Sequence, residues 1–481
     1  MPKWCTRRAS NVWISNLIDL FVGNKHINFG LEENKMKKYL KKAVSIILAL
    51  SVIFVMAACA SETSTVQPTA ATATGGTPDT ASPEVPGTVK IGIILPFTGS
   101  NARIGQLQYN GMELFINNFN KAGGFASMNG ATVEIVKADT TGAPEVGVTE
   151  LERVITQKNV SAVLGPYNSA VGAATAPIAE KYKTPYILSN CTADEILYTP
   201  YKYVYRVNHS NTNDASDLVS FLKYLRDNKE NASFTKFAVV YENTDWGKGM
   251  NKALAQYLTE GYGGEVVVSE AYQANAADFS SIISKIKASG AEVTIPVAYL
   301  ADALLFTQQM AEYKCDSIIL ASSGGFTVPD FVQKVGPAGE YVLTAASWDL
   351  SVLPFKSEEA TKLSEQYKEI YSEAMDGYAV NGYLAAAALV GAIDRAGSDD
   401  RDAINEALAA TNVGSDDPAL MFHPYSGISF EKEIRGMTHQ NIYASGIILQ
   451  VINGEFKLVG PSSLTGDDTE LVWPIPKYSE R

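Results

Sequence analysis

The sequence predicts an α/β protein in which the strands of parallel sheets alternate with covering helices. Two observations support this: short apolar runs repeatedly end in small polar turns, and each turn leads into a segment with helical periodicity. The pattern is clearest over residues 161–196, where two successive runs end near Ser169 and Thr192. Ligands of such sheets bind beyond the carboxyl ends of the strands. The two hydroxyl turns are either ordinary helix caps or, together at adjacent helix N-termini, a carboxylate site.

The first half of the body contains a complete series of strands and helices. Pro96 ends the first strand, Gly123 and Gly124 end the first helix, and an apolar face runs along the second helix. Beyond residues 161–196, the predicted strands are 89–95, 132–138 and 203–207, and the predicted helices are 105–122 and 144–158.

A second α/β series follows residue 208, and a helical stretch follows it. Asn453-Gly454 between two apolar runs predicts a hairpin over residues 441–459. Residues 357–374 and 379–396 read as helices; we expect this stretch after residue 347 to lack strands and to return to the first half. The predicted strands of the second series are 237–241, 265–271, 293–297, 317–320 and 341–346.

The amino end has the features of a secretory signal. Over residues 36–58 a basic start precedes a short apolar run with small residues at its end, too short to span a bilayer comfortably. The run ends at Cys59 in a pattern similar to the bacterial lipobox, which implies a lipid anchor; the alternative is a plain signal with an incidental cysteine. We expect residues 1–35 to be absent from the mature protein and residues 59–87, rich in Ala, Ser, Thr and Pro, to form a flexible tether.

Composition excludes several classes of function. The net charge of −13 argues against a nucleic-acid partner and against a basic membrane-binding patch. The four Cys and four His are scattered, and no zinc or phosphate-loop motif occurs, so no metal and no cofactor is expected. A nucleophilic serine needs a base, yet the mature chain offers only His209, His423 and His439 and no Gly-x-Ser-x-Gly elbow. We therefore expect a binding protein and not an enzyme.

Several short motifs stand in order over residues 88–460: KIGIILPFTG at 90–99, GQLQYNG at 105–111, NKAGG at 120–124, GPYNS at 165–169, API at 176–178, Pro185 and WGKG at 246–249. Their order and spacing are those of a known family. The chain resembles the substrate-binding proteins of branched-chain amino acid ABC importers, the leucine/isoleucine/valine-binding type. The resemblance implies a type I periplasmic-binding fold, with one lobe from residues 88–208 plus 347–437, a second from 209–346 plus 438–481, and a three-crossing hinge.

The resemblance also implies a ligand pocket. Ser169 matches the serine that holds the ligand α-carboxylate, and Trp246 stands where the family usually has a tyrosine from the second lobe. Trp246, Tyr299 and Tyr378 could each serve core packing alone. The remaining pocket positions are Tyr167 and Asn168 beside Ser169, the segment Asn190, Cys191 and Thr192, and the side-chain positions Ile104, Tyr299 and Tyr378.

One pocket position departs from the family pattern. Where leucine-type members place a glutamate against the ligand ammonium, this chain aligns Ser323, followed by Gly324. A serine supplies a dipole but no charge, so Asp245 or Asp302 would have to substitute, unless the alignment slips and an acid lies a few residues away. We therefore expect leucine to bind weakly, and the flat face of Trp246 favours an aromatic or planar amide-like group.

The implied function is capture of an amino acid, or a related small carboxylate or amide, by hinge closure. The implied partners are the ligand, the membrane subunits of an ABC importer and, through Cys59, the outer face of the bacterial cell membrane; we expect a monomer. The alternative is a ligand-sensing ectodomain that feeds a signalling partner, although no membrane-spanning run follows residue 460. Cys191 and Cys315 fall in different lobes, where a disulfide would lock the hinge, so we expect free thiols.

Overall fold

The computed structural model of the protein describes residues 87–466 and 470–481. Residues 1–35, the predicted signal segment 36–58 and the tether before Gly87, with Cys59, lie outside the described residues. No helix of the described ranges combines the length and apolarity needed to cross a bilayer. The elements of the first half are β1 (Thr88–Leu95), α1 (Ala102–Lys121), β2 (Thr132–Asp139), α2 (Pro144–Thr156), β3 (Ala162–Leu164), α3 (Ser169–Lys181), β4 (Tyr186–Leu188) and β5 (Val204–Arg206).

The first sheet is parallel throughout and has the strand order β2-β1-β3-β4-β5. Its central strands are buried on both faces, which explains why they read as continuous apolar runs. The order reverses direction between β1 and β3, so the loops at the carboxyl ends of these strands leave a crevice between them. This crevice is where Tyr167 and Ser169 follow β3.

The rest of the chain contains a second series of alternating strands and helices, followed by the elements after residue 347. Its elements are α4 (Asn211–Asn228), β6 (Lys236–Glu242), α5 (Asp245–Gln256), β7 (Glu265–Tyr272), α6 (Ser280–Ser289), β8 (Val293–Val297), α7 (Leu300–Glu312), β9 (Ile318–Ser322), α8 (Pro329–Val335), β10 (Leu343–Ala346), α9 (Glu358–Tyr371), α10 (Gly377–Ala396), α11 (Arg401–Ala409), β11 (Asn412–Gly414), β12 (Gly427–Ser429), β13 (Ile447–Ile452), β14 (Glu455–Gly460) and α12 (Ser462–Thr465).

The second sheet has the order β14-β13-β10-β9-β8-β6-β7. Strands β6 to β10 are parallel to one another and follow the order of the first sheet, whereas β13 and β14 join antiparallel at the edge. Asn453 and Gly454, at φ 55° and 72°, make the turn between β13 and β14, which confirms the predicted hairpin.

The stretch after residue 347 packs on the first sheet through α10. Gly111 of α1 and Gly382 of α10 allow the two helices to touch backbone to backbone, because a Cβ on Gly111 would lie 1.8 Å from the carbonyl oxygen of Ala379. The expectation that this stretch has no strand was wrong: β11 and β12 pair as a short antiparallel ribbon. Each has only three residues and carries a glycine, too little for an alternating pattern to show. The lobe boundaries inferred from the resemblance stay predictions.

Candidate functional site

A cavity of about 470 Å³, a volume that includes space open to solvent, lies where carboxyl ends of strands from both sheets meet. From the first sheet, Tyr167 and Ser169 follow β3, and Asn190 and Thr192 follow β4. From the second sheet, the lining residues Trp246, Tyr299, Ser323 and Gly324 follow β6, β8 and β9. Tyr378, at the start of α10, completes this group of predicted residues.

Ser169 occupies the first turn of α3, with its side chain buried. The cap position itself belongs to Asn168, whose side chain makes no capping hydrogen bond. The Ser169 hydroxyl accepts a hydrogen bond of 3.3 Å from the backbone N–H of Ala193, which ties the two predicted turns together. The free N–H groups of α3 add a positive partial charge at this end of the cavity.

Thr192 lies differently from the expectation. It does not cap an α-helix, because only a four-residue 3₁₀ turn (Asp194–Leu197) follows it. Its segment is held instead by Arg206, a fully buried residue of β5 that donates to the carbonyl oxygens of Cys191 (2.9 Å) and Ala193 (2.8 Å). In the sequence, this role of Arg206 is indicated only by the presence of a charged residue in an otherwise apolar strand.

Four aromatic rings form a continuous row along the cavity. The ring centroids of Trp246 and Tyr299 are 4.9 Å apart, those of Tyr299 and Tyr167 are 5.6 Å apart, and those of Tyr167 and Tyr378 are 5.8 Å apart. Pairs at these separations attract one another beyond simple area burial. The row therefore joins side chains that follow strands of both sheets to the start of α10.

The turn at Ser323 and Gly324 is held from two sides. Both residues have positive φ, 43° and 60°, which is costly for serine and easy for glycine. A Cβ on Gly324 would lie 2.5 Å from Cη2 of Trp246 and 2.7 Å from the carbonyl oxygen of Ala298. From the other side, the Tyr378 hydroxyl donates a 2.6 Å hydrogen bond to the carbonyl oxygen of Gly324. Position 324 thus requires glycine.

Three of the predicted residues do not line the cavity. Ile104 is buried in the core within α1, and Asn168 is buried at the start of α3. Cys191 is fully buried, with its sulfur 3.3 Å from the carbonyl oxygens of Pro166 and Asn168. Burial raises the pKa of its thiol well above the usual range. Cys191 and Cys315 are both free thiols, as expected.

Neither acid proposed as a substitute for the missing glutamate reaches the cavity. Asp245 is exposed on α5, and Asp302 is buried and accepts hydrogen bonds from the backbone N–H groups of Asn275 (3.0 Å) and Ala276 (2.8 Å). The acid behind Ser323 is Asp214 of α4, with Oδ2 3.4 Å from the serine hydroxyl.

Sequence reasoning also missed several lining residues. They are His209, Thr327, Ser347, Trp348, Gly377 and Asn381. His209 follows β5 and Ser347 follows β10, so the position after a strand was an available signal for both. Asn381 lies one turn beyond Tyr378 on α10 and donates 2.7 Å to Oδ1 of Asn190. Nothing local in the sequence distinguishes Asn381 from a packing residue.

Comparison with known proteins places this geometry in a family. The periplasmic binding protein model matches residues 88–445. Leu/Ile/Val-binding protein homologs 7 and 8 of Brucella abortus (strain 2308) are each 27% identical to this chain, covering 78% of it and 92% and 91% of their own lengths.

Solved structures share the fold. A leucine binding protein (LivK) from Thermotoga maritima matches with a TM-score of 0.66 at 24% identity, over 77% of this chain and 98% of its own. The branched-chain amino acid transporter substrate binding protein LivJ from Streptococcus pneumoniae, in complex with isoleucine, matches at 0.65 and 22%, over 78% and 100%. A solute binding protein from R. palustris, in complex with benzoate, matches at 0.65 and 20%, over 78% and 96%. The chain belongs to the periplasmic binding protein family and has its type I fold.

Proposed function

We propose that this protein captures an amino acid, or a related small carboxylate or amide, outside the cytoplasm and delivers it to an ABC importer. The observation that carries the proposal is the cavity itself, because its walls come from the strand ends of both sheets. Its lining combines aromatic rings with a few polar groups, which is typical of small-molecule sites. The relatives named for leucine, isoleucine and valine binding support the same assignment.

In this proposal, the ligand carboxylate lies against Ser169 and Thr192. The hydroxyl groups and the N–H groups at the start of α3 would donate to it, and the positive end of the helix would favour its charge. Trp246, Tyr299 and the Ser323 turn would then cover the rest of the ligand. Exclusion of water strengthens the few hydrogen bonds that orient a small ligand.

We further propose that residues 88–208 plus 347–437 close on residues 209–346 plus 438–481 as two lobes about a hinge. Contacts between these segments support a closed arrangement here. The Tyr378 hydroxyl binds Gly324 from across the cleft, and Arg103 reaches both Glu373 and Asp330, at 3.3 Å from Asp330. The closed form would be the one that the importer recognises, with the protein a monomer anchored through Cys59 to the outer face of the membrane.

The arrangement around Ser323 supports binding without catalysis. In a hydrolytic triad the imidazole contacts the serine and the carboxylate contacts the imidazole. Here the order is different, because the Asp214 carboxyl lies between the serine and the imidazole. Its oxygens are 3.4 Å from the Ser323 hydroxyl and 3.5 Å from Nε2 of His209. The described geometry therefore places no imidazole on this hydroxyl.

A thermal-shift screen of the purified full chain against amino acids, amides and aromatic acids tests the function. A ligand present at 100 times its Kd should stabilise the protein by about 2.7 kcal/mol. After long incubation the bound compound should be recovered unchanged. Recovery of a converted product in stoichiometric amount would make the protein an enzyme, and the absence of any stabilising compound across the three classes would refute the assignment.

A further inference from the structure

A buried acid lies directly behind the cavity wall at Ser323. Asp214, on the first turn of α4, is 1% exposed, and its two carboxyl oxygens face Ser323 and His209. Both of these partners line the cavity, whereas Asp214 itself does not. Nδ1 of His209 is buried and has no hydrogen-bond partner among the described residues. The cavity therefore has an acid one side chain away and an unsatisfied polar atom in its wall.

The surroundings leave Asp214 without a full positive charge. Arg206 is the buried cation nearby, but it is occupied by two backbone carbonyl groups and lies 3.8 Å from Asp194. Among the described residues, no lysine or arginine lies within ion-pair distance of Asp214. His209 contacts Asp214, and the other titratable groups that interact with it electrostatically are Asp194, Arg206, Asp217, Tyr378 and Tyr425.

We propose that Asp214, acting through the Ser323 hydroxyl and the His209 ring, provides the negative charge that selects a ligand carrying a protonated amine. The inference rests on the proposed function and narrows its ligand class from small carboxylates in general to amino acids. Asp214 is a positioning residue in this scheme, since the groups that touch the ligand are Ser323 and His209.

The protonation states of Asp214 and His209 predict that a proton is released when the ligand binds. Burial raises the pKa of Asp214 to about 8 and lowers the pKa of His209 to about 4. At pH 7 most Asp214 carboxyls in the ligand-free protein are therefore protonated. A cation beside Ser323 favours the ionised carboxylate, so the pKa of Asp214 falls and a proton leaves on binding. Affinity for the cation then rises with pH, by up to about tenfold per unit, until pH passes the ligand-free pKa near 8.

Calorimetry with matched probe pairs tests this directly. Phenylalanine is compared with 3-phenylpropanoate and leucine with 4-methylpentanoate, so that each pair differs only in the amino group. Titrations at pH 7 in buffers of different ionisation enthalpy count the protons exchanged. We expect at least one amino acid to bind at least tenfold more tightly than its des-amino partner and to release a proton. Equal affinities within both pairs, or proton uptake, would overturn the inference.

Asp214→Asn should abolish both the amine preference, measured as the ratio of affinities within each probe pair, and the proton release. Asp302→Asn is the matched control, because Asp302 is buried in the second half, is held by backbone N–H groups and does not line the cavity. It should keep the preference. Ser323→Ala, which retains the acid but removes the hydroxyl, should reduce the preference, and it serves if Asp214→Asn fails to fold. Retention of the preference in both Asp214→Asn and Ser323→Ala contradicts the proposal.

Different results would refute the role of Asp214 and the proposed function. If des-amino carboxylates or amides bind and the amino group confers no advantage, the protein is still a solute-binding protein and only the role of Asp214 is wrong. If no compound of either kind binds, the proposed function fails, and the inference fails with it.

Discussion

Replacing Gly324 with alanine tests how tightly the cavity wall is packed. The new Cβ would lie 2.5 Å from Cη2 of Trp246 and 2.7 Å from the carbonyl oxygen of Ala298. Carbon atoms are at ease about 3.5–4.0 Å apart, so the indole or the turn must shift by about 1 Å or more. Overpacking of this kind costs about 1–3 kcal/mol. The positive φ of 60° adds about 1–2 kcal/mol for alanine.

A matched control separates the two costs. Gly290 ends α6 with a similar φ of 70°, and a Cβ there would meet no atom within 4 Å. Gly290→Ala should therefore lose only the conformational part, about 1–2 kcal/mol. Gly324→Ala should lose about 2–5 kcal/mol in all, measured by urea unfolding followed by circular dichroism. It should also weaken ligand binding in calorimetry, because Trp246 lines the cavity.

Two results would contradict this prediction. Equal destabilisation by Gly324→Ala and Gly290→Ala would show that the wall yields without cost and that the close approach of Trp246 is not a constraint. Unchanged affinity in Gly324→Ala would show that the position of the indole does not matter to the ligand.

Three further predictions concern the carboxylate site, the anchor and the thiols. Ser169→Ala should weaken binding of a carboxylate ligand about tenfold to a hundredfold in calorimetry, because a hydrogen bond to a charged group is worth about 1.5–3 kcal/mol; unchanged affinity in both Ser169→Ala and Thr192→Ala would remove the carboxylate from this end of the cavity. The wild type should fractionate with membranes and Cys59→Ser should appear in the medium, and recovery of both forms as soluble protein would refute the lipid anchor. Cys191 and Cys315 are buried with raised thiol pKa values, so mass spectrometry should find them unlabelled by a thiol reagent until urea is added; rapid labelling of the native protein would contradict their burial.

Much of the fold is readable because buried parallel strands are written as continuous apolar runs. The runs at 89–95 and 293–297 correspond closely to β1 and β8, whose residues are mostly or wholly buried. The hairpin was predictable from Asn453-Gly454, where turn chemistry is local. The ribbon of β11 and β12 was not, since strands of three residues owe their existence to their partner and carry no period of their own.

The residues of the site also differ in how far the sequence predicts them. Ser169 could be placed from a local pattern, a hydroxyl turn after a strand, and Trp246 and Ser323 through the family resemblance. Asp214 could not, because its relation to the cavity depends on a contact with a residue 109 positions away. An acid in the first turn of a helix reads as an ordinary complement to the helix dipole, and only the packed structure shows that this one faces the cavity wall.

The separation between strand ends and packed helices has an evolutionary consequence. Most residues that face the cavity stand on loops and first turns, with Asn381 one turn further along α10, whereas the backbone contact between α1 and α10 depends on Gly111 and Gly382, which do not line it. Substitutions at most of these positions, Gly324 excepted, can therefore accumulate without disturbing the scaffold. We therefore expect that transplanting ligand choice between members of the family requires the loops that follow β3, β4, β5, β6, β8, β9 and β10 together with the start of α10.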